Sequence, residues 1–132
     1  MEAKPLNVLH IEDDPEQQLV LRLLLDTAKP AGFRLVQAGT LGRGLASLVQ
    51  LPFDLLILDL HLPDIGGEDL TRLLRADPAT RPTPVIVLTA DTSGDRAAML
   101  QALGVEHLLA KPLDLDVLDA TLAEVLAGSP RG

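Results

Sequence analysis

Apolar residues along this chain switch repeatedly between runs of strand length and repeats of helical period. Leu6-Asn7-Val8-Leu9-His10-Ile11 is a short apolar run, followed by three acids, Glu12, Asp13 and Asp14. Pro15 then opens a helix, because the first helical position leaves its N–H unpaired in any case. Leu19, Val20, Leu23 and Leu24 recur at helical spacing, and Pro30 and Gly32 end the repeat. Phe33 to Ala38 reads as a second strand. Thr40 caps a helix through Leu41, Leu45, Leu48 and Val49, which Pro52 breaks. Asp54 to Asp59 is a third strand, apolar on both faces until its last residue.

The second half repeats the scheme. His61 to Gly67 is a Pro- and Gly-containing loop, and Glu68 to Ala76 a helix with Leu70, Leu73 and Leu74 on one side. Pro84 to Thr89 is a fourth strand, again suited to burial on both faces. Asp95 to Leu103 is a helix ended by Gly104. Leu108-Leu109-Ala110 is a short fifth strand, and Leu115, Leu118, Leu122, Val125 and Leu126 mark a closing helix. Continuous apolar strands alternating with helices predict an α/β fold, a doubly wound parallel sheet of five βα units with right-handed crossovers. Such sheets bind ligands at the carboxyl ends of their strands.

Composition narrows the rest. The 132 residues fit one domain, 1–132, with 128–132 as a frayed tail. Hydrophobic residues make up 47%, but there is no Trp or Tyr and only Phe33 and Phe53, so the core must be aliphatic. Lys plus Arg number 11 against 19 Asp plus Glu, a net charge of −8, which disfavours nucleic acid and anionic membranes as partners. The absence of cysteine excludes disulfides, zinc thiolates and thiol catalysis. No signal-peptide pattern and no apolar run near the ~20 residues of a membrane span is present, so a cytoplasmic protein is expected.

Chemistry gathers at the predicted strand ends. Strand one ends in Glu12, Asp13 and Asp14, strand three in Asp59, strand four in Thr89, and strand five in Lys111 followed by Pro112. Strand two ends in Ala38 and Gly39. Alone, the acid run would be a solvated turn favouring the next helix dipole, and a single Asp or Thr a turn former. Together, several carboxylates at one sheet edge repel one another unless a cation joins them. Clustered carboxylates offer hard oxygen ligands for Mg²⁺. An adjacent Asp can act as a nucleophile toward phosphorus, with Thr89 and Lys111 contacting phosphoryl oxygens. No phosphate-cradling glycine loop is present, so a nucleotide substrate is not indicated.

At these residues the chain resembles the receiver domains of two-component response regulators, the chemotaxis-regulator type. The resemblance runs from about Leu6 to Leu126. It rests on Val8 to Pro15, on Leu58 to Pro63 with Gly67, on Val87-Leu88-Thr89-Ala90 and on Lys111-Pro112. It implies a flavodoxin-like sheet of strand order 2-1-3-4-5. It implies Asp59 as phosphoacceptor, with Thr89 and Lys111 assisting. Mg²⁺ would be held by Asp13, Asp59 and the main-chain carbonyl of His61, with Glu12 acting through water. The implied donor is a phosphohistidine on a sensor histidine kinase or a histidine phosphotransfer protein. Magnesium-dependent self-phosphorylation and dephosphorylation are implied as well. Thr89 would move inward on phosphorylation, and the face of the fourth helix, fifth strand and fifth helix would change for a protein target or a homodimer partner.

The chain departs from the family at Leu108, where Tyr or Phe is usual, so no ring can move in concert with Thr89. His61 and Asp91, two residues beyond Asp59 and Thr89, flank the path of attacking water and are expected to tune the phosphoryl lifetime. His10 reads as a packed core residue and His107 as a surface turn residue. Two other classes fit less well. A haloacid-dehalogenase-type phosphatase needs a second Asp where His61 stands. A receiver fold serving only as an interaction module normally lacks the acceptor or the metal acids. The chain ends close to the domain on both sides, which reads as a stand-alone regulator.

Overall fold

The computed structural model describes residues 6–27, 33–50, 52–59, 72, 75–76, 83–90, 94–102, 104–105 and 107–127. The expected loop 61–67 and Asp91 lie outside them, as does the tail 128–132. Of the expected helix 68–76, only Arg72, Arg75 and Ala76 are described, and all three are helical.

Five strands, β1 (Leu6–Ile11), β2 (Phe33–Ala38), β3 (Leu55–Asp59), β4 (Val85–Thr89) and β5 (His107–Ala110), form one parallel sheet. Their order is β2-β1-β3-β4-β5, as the family resemblance implies. The helices are α1 (Pro15–Thr27), α2 (Leu41–Gln50), α3 (Gly94–Ala102) and α4 (Leu115–Ala127). β1 and β2 have the bounds expected from sequence. β3 and β4 each start one residue later. Asp54 instead turns its carboxylate to the Asn7 N–H at 2.8 Å, and Pro84 contributes only its carbonyl, which accepts from Leu56. β5 starts one residue earlier, so His107 opens a strand and is not a turn residue. It is half-buried, with Nδ1 3.8 Å from Glu124.

All five residues of β3 and of β4 are buried, which requires cover on both faces. Alternate residues feed two apolar layers. Leu9, Ile11, Leu56, Leu58, Val85 and Val87 pack on one face with Leu100 of α3 and Leu45 and Leu48 of α2. Val8, Leu55, Ile57, Ile86 and Leu88 pack on the other with Leu21 and Leu25 of α1 and Leu118, Leu122 and Val125 of α4.

Local chemistry sets the helix ends. Asp14 accepts the N–H of Glu16 at 2.9 Å, capping α1 just ahead of Pro15. Thr40 accepts the N–H of Arg43, as its position before α2 predicts. Asp114 caps α4 through the N–H groups of Asp116 and Val117. α3 ends in a Schellman turn. Gly104, with φ +92°, donates to Gln101, and Val105 donates to Leu100.

α2 lies so close to β1 that only glycine fits at position 44. A Cβ there would overlap Cδ1 of Ile11, a side chain with no exposed surface, and would lie 2.9 Å from its Cγ1. Overpacking costs about 1–3 kcal/mol, and the helix-propensity gain of Gly→Ala offsets up to about 1 kcal/mol of it. Gly44→Ala is therefore expected to lower stability by about 1–2 kcal/mol in urea denaturation. At Gly42, where the nearest atom to an added Cβ is 3.9 Å away, the same change should be neutral or stabilising. Equal effects at the two positions would contradict the close approach.

Candidate functional site

The sheet brings the predicted residues to one edge because β1 and β3 are neighbours. Ile11 sits opposite Leu58, so Glu12 follows β1 just where Asp59 closes β3. The Glu12 N–H stays in the ladder, donating to Ala38 at 2.9 Å, and the Glu12 carbonyl accepts from Nε2 of Gln18 at 2.6 Å. Carboxylate oxygens of Glu12, Asp13 and Asp59 all lie within 4.8 Å of one another. Glu12 is 1% exposed and Asp59 3%, whereas Asp13 faces solvent. Asp14, the third acid of the run, serves α1 instead.

Lys111 arrives from the far side. Its N–H donates to the Thr89 carbonyl at 3.0 Å, which ties the end of β5 to the end of β4. Its Nζ lies 3.2 Å from Oε1 of Glu12 and 3.3 Å from Oδ2 of Asp59. The Lys111–Pro112 peptide is cis. Thr89 is fully buried at the last position of β4, one residue beyond the partner of Asp59. Glu12, Asp13 and Asp59 are thus in direct reach of one another, Lys111 contacts Glu12 and Asp59, and Thr89 shares their edge. His61, expected to contribute its carbonyl, lies outside the described residues.

Burial raises the Glu12 pKa to about 8, aided by its hydrogen bond with Asp59 and by the charge of Asp59, against the opposing pull of Lys111. Burial alone would lower the Lys111 pKa, but the charges of Glu12 and Asp59 outweigh it and hold the ammonium above its ordinary value. His10, two residues before Glu12, is driven down to about 4, chiefly by burial, with Asp59 pulling upward and Lys111 pushing down.

The sequence reading of His10 as a packed residue holds for its burial, but it is also wired. Its Nδ1 lies 3.1 Å from Nε2 of Gln37. Gln18 and Gln37 were not singled out from sequence. The available signal was a polar residue in an apolar strand (His10) with another, Gln37, in the strand beside it.

The site suits a divalent cation by its donors. Three carboxylates converge, one is open to solvent, and Oε2 of buried Glu12 has no hydrogen-bond partner. Hard oxygen donors of this kind suit Mg²⁺.

Comparisons with known proteins agree with this geometry. A profile of the response regulator receiver domain matches residues 8–123. A probable chemotaxis protein CheY of Rhizobium etli is 32% identical over 127 residues, covering 93% of this chain and 94% of that protein. A sensor histidine kinase, AruS, of Pseudomonas aeruginosa is 35% identical over 127 residues, covering 95% of this chain but only 12% of that protein. Among solved structures, the receiver domain of another Pseudomonas aeruginosa sensor histidine kinase, crystallised with magnesium in its active-site cleft, superposes with a TM-score of 0.81 at 30% identity. It covers 94% of this chain and 99% of its own.

The raised Glu12 pKa has a stability consequence. Between the ordinary 4.5 and about 8, Glu12 binds more protons folded than unfolded, so stability falls as pH rises through that window. His10 acts the other way, but only between about 4 and 6.5. Lys111, raised from 10.5, does not titrate below it. The metal-free protein should therefore unfold at lower urea concentration at pH 8 than at pH 6.5. Glu12→Gln should flatten that slope, and an unchanged slope would refute the assignment.

Proposed function

The chain belongs to the response regulator receiver domain family, whose role is phosphorylation-dependent signalling in two-component systems, and from that premise we propose that Asp59 is the residue that takes the phosphoryl group. The observation that carries this is the contact of Lys111 with both Glu12 and Asp59 at 3.2 and 3.3 Å. It joins a carboxylate at the end of a central strand to a second acid and to a cation able to receive phosphoryl oxygen.

In the transfer, a carboxylate oxygen of Asp59 attacks phosphorus. The new O–P bond forms as the bond from phosphorus to the donor's imidazole nitrogen breaks, and the imidazole leaves with that electron pair. Lys111 meets one phosphoryl oxygen with full charge, and the Thr89 hydroxyl donates to another. Glu12, Asp13 and Asp59 would hold Mg²⁺, with the His61 carbonyl as a further ligand. A bound Mg²⁺ supplies positive charge against the crowding of phosphoryl and carboxylate oxygens. Asp13, open to water, lies on the side from which a donor approaches.

The donor is a phosphohistidine on a sensor histidine kinase or a histidine phosphotransfer protein. Small acyl phosphates serve the same chemistry without a kinase, and water attacking the phosphorus breaks the Asp59–phosphate bond, freeing the carboxylate and releasing inorganic phosphate. The new dianion favours a second arrangement of the strand ends, and a protein target responds only as far as it prefers that arrangement. Leu108, half-buried against the core layer shared by α2 and α3, offers no ring to follow Thr89. The face of α3, β5 and α4 is the surface for a target or a second copy, and the two helices carry the exposed apolar side chains Met99 and Val117. Among the described residues no helix is long and apolar enough to cross a membrane, which is compatible with a cytoplasmic site of action.

Incubation with acetyl phosphate and Mg²⁺, or with a phosphorylated histidine kinase, should add one phosphoryl group by intact mass. Chelation should abolish the label, and so should Asp59→Asn. Lys111→Ala should slow labelling on the order of 10²-fold or more, as loss of a charge-stabilising donor does. A wild-type protein that no donor labels would sink the reading and leave an interaction module.

A further inference from the structure

His10 is a buried ionisable side chain that the transfer chemistry above does not use. It is 1% exposed in the middle of an aliphatic strand, and its known partner meets only one edge of the ring. Gln37 stands directly opposite in β2 and brings its amide nitrogen to Nδ1 at 3.1 Å. Two other bonds fix which way that amide points. Its oxygen accepts from Arg22 of α1 at 3.0 Å, and its nitrogen donates to the carbonyl of Gln18 at 2.7 Å. The atom facing Nδ1 is therefore a donor. A proton on Nδ1 would set N–H against N–H, so Nδ1 accepts and the ring carries its proton on Nε2.

That Nε2–H is shut off from solvent and has no hydrogen-bond partner, and the same holds for Oε2 of Glu12. Glu12 continues the β1 ladder one residue past its end through its N–H on Ala38, two positions beyond His10, so both side chains leave the same face of the sheet. An orphan donor and an orphan acceptor, both buried, thus belong to next-but-one residues on one face of the sheet. Leaving either unmade is unfavourable, and polar groups buried in this way are commonly joined by an internal water.

We propose that His10 is a positioning residue of the acid cluster: its Nε2–H donates to one internal water, which in turn donates to Oε2 of Glu12. Glu12 is then gripped at both oxygens, by Lys111 on Oε1 and by His10 through water on Oε2. A polar line runs from Arg22 on the exposed side of α1, through Gln37 and His10, to the acids at the strand ends. A second tie, from Gln18 to the Glu12 carbonyl, holds the main chain of the same residue. The effect on metal binding rests on the proposed magnesium site; the bridge itself does not.

The test has two arms on the full chain. Imidazole ¹⁵N spectra of the metal-free wild type should show Nε2 protonated and Nδ1 unprotonated, with the Nε2 proton cross-relaxing to a bound water. Magnesium titrations then compare two variants. His10→Gln places an amide nitrogen where Nε2 stood and should bind Mg²⁺ within about threefold of wild type. His10→Asn keeps an acceptor toward Gln37 but lacks the donor, and should bind on the order of tenfold more weakly, the effect of losing an outer hydrogen bond at a metal site. A proton on Nδ1, no water at Nε2, or His10→Asn binding as tightly as wild type would overturn the inference. Should His10→Asn fail to fold, the wild-type spectra and His10→Gln still decide it. Wild type that binds no Mg²⁺ yet shows the expected tautomer and water keeps the bridge and removes the phosphoacceptor reading instead.

Discussion

Two carboxylates nearly sealed from water, on neighbouring strands, share a single ammonium, and the rest of the edge is arranged around that contact. Burying one ionised acid is unfavourable, and burying two side by side more so. Lys111 relieves part of the repulsion, and a proton on Glu12 relieves more, which is why that group holds on to hydrogen to about pH 8. With Glu12 protonated, Asp13, Asp59 and Lys111 leave one net negative charge at the edge. With all three acids ionised there would be two. A divalent cation would cancel that charge outright, so proton and metal compete for the same place.

The contact constrains the sheet. β5 is separated from β3 by β4, a distance of roughly two strand spacings, about 10 Å, and a lysine side chain alone does not comfortably span it. The Lys111 N–H bonds to the Thr89 carbonyl, which carries the β4–β5 ladder one residue past Ala110 and fixes where the lysine side chain sets out. Thr89 on β4 stands opposite Ala110 on β5, one position before Lys111.

Much of this was legible in the sequence for identifiable reasons. β1 and β2 were bounded correctly because acids, Gly39 and Thr40 stop them abruptly. The one-residue losses at Asp54 and Pro84 arise where a side chain or an imide replaces a ladder bond, and the one-residue gain at His107 comes from its pairing with Ile86, neither of which local pattern reveals. Alternation of strand and helix told which residues share an edge, and so gathered Glu12, Asp13, Asp59, Thr89 and Lys111. It could not tell that Lys111 bridges Glu12 to Asp59, or that Asp14 leaves the acid run to cap α1. Those depend on side-chain direction across contacts as far as 99 residues apart. The wiring of His10 was hidden for the same reason, since a histidine between Leu9 and Ile11 reads as core until the strand beside it is known.

Leu108 shows how an aliphatic core changes the route a signal can take. The side chain packs against the layer that holds Leu56, Leu58, Val85 and Val87, the same layer reached by Leu45 and Leu48 of α2. An aliphatic group there cannot alternate between a buried and an exposed ring position. β4 and β5 are joined along their ladder, and past its end Lys111 adds two links among the described residues, its N–H on the Thr89 carbonyl and its ammonium on Glu12 and Asp59. Lys111 thus carries both a backbone tie to the end of β4 and a charge contact to the acids that end β1 and β3, and the start of α4, capped by Asp114, follows only three residues on.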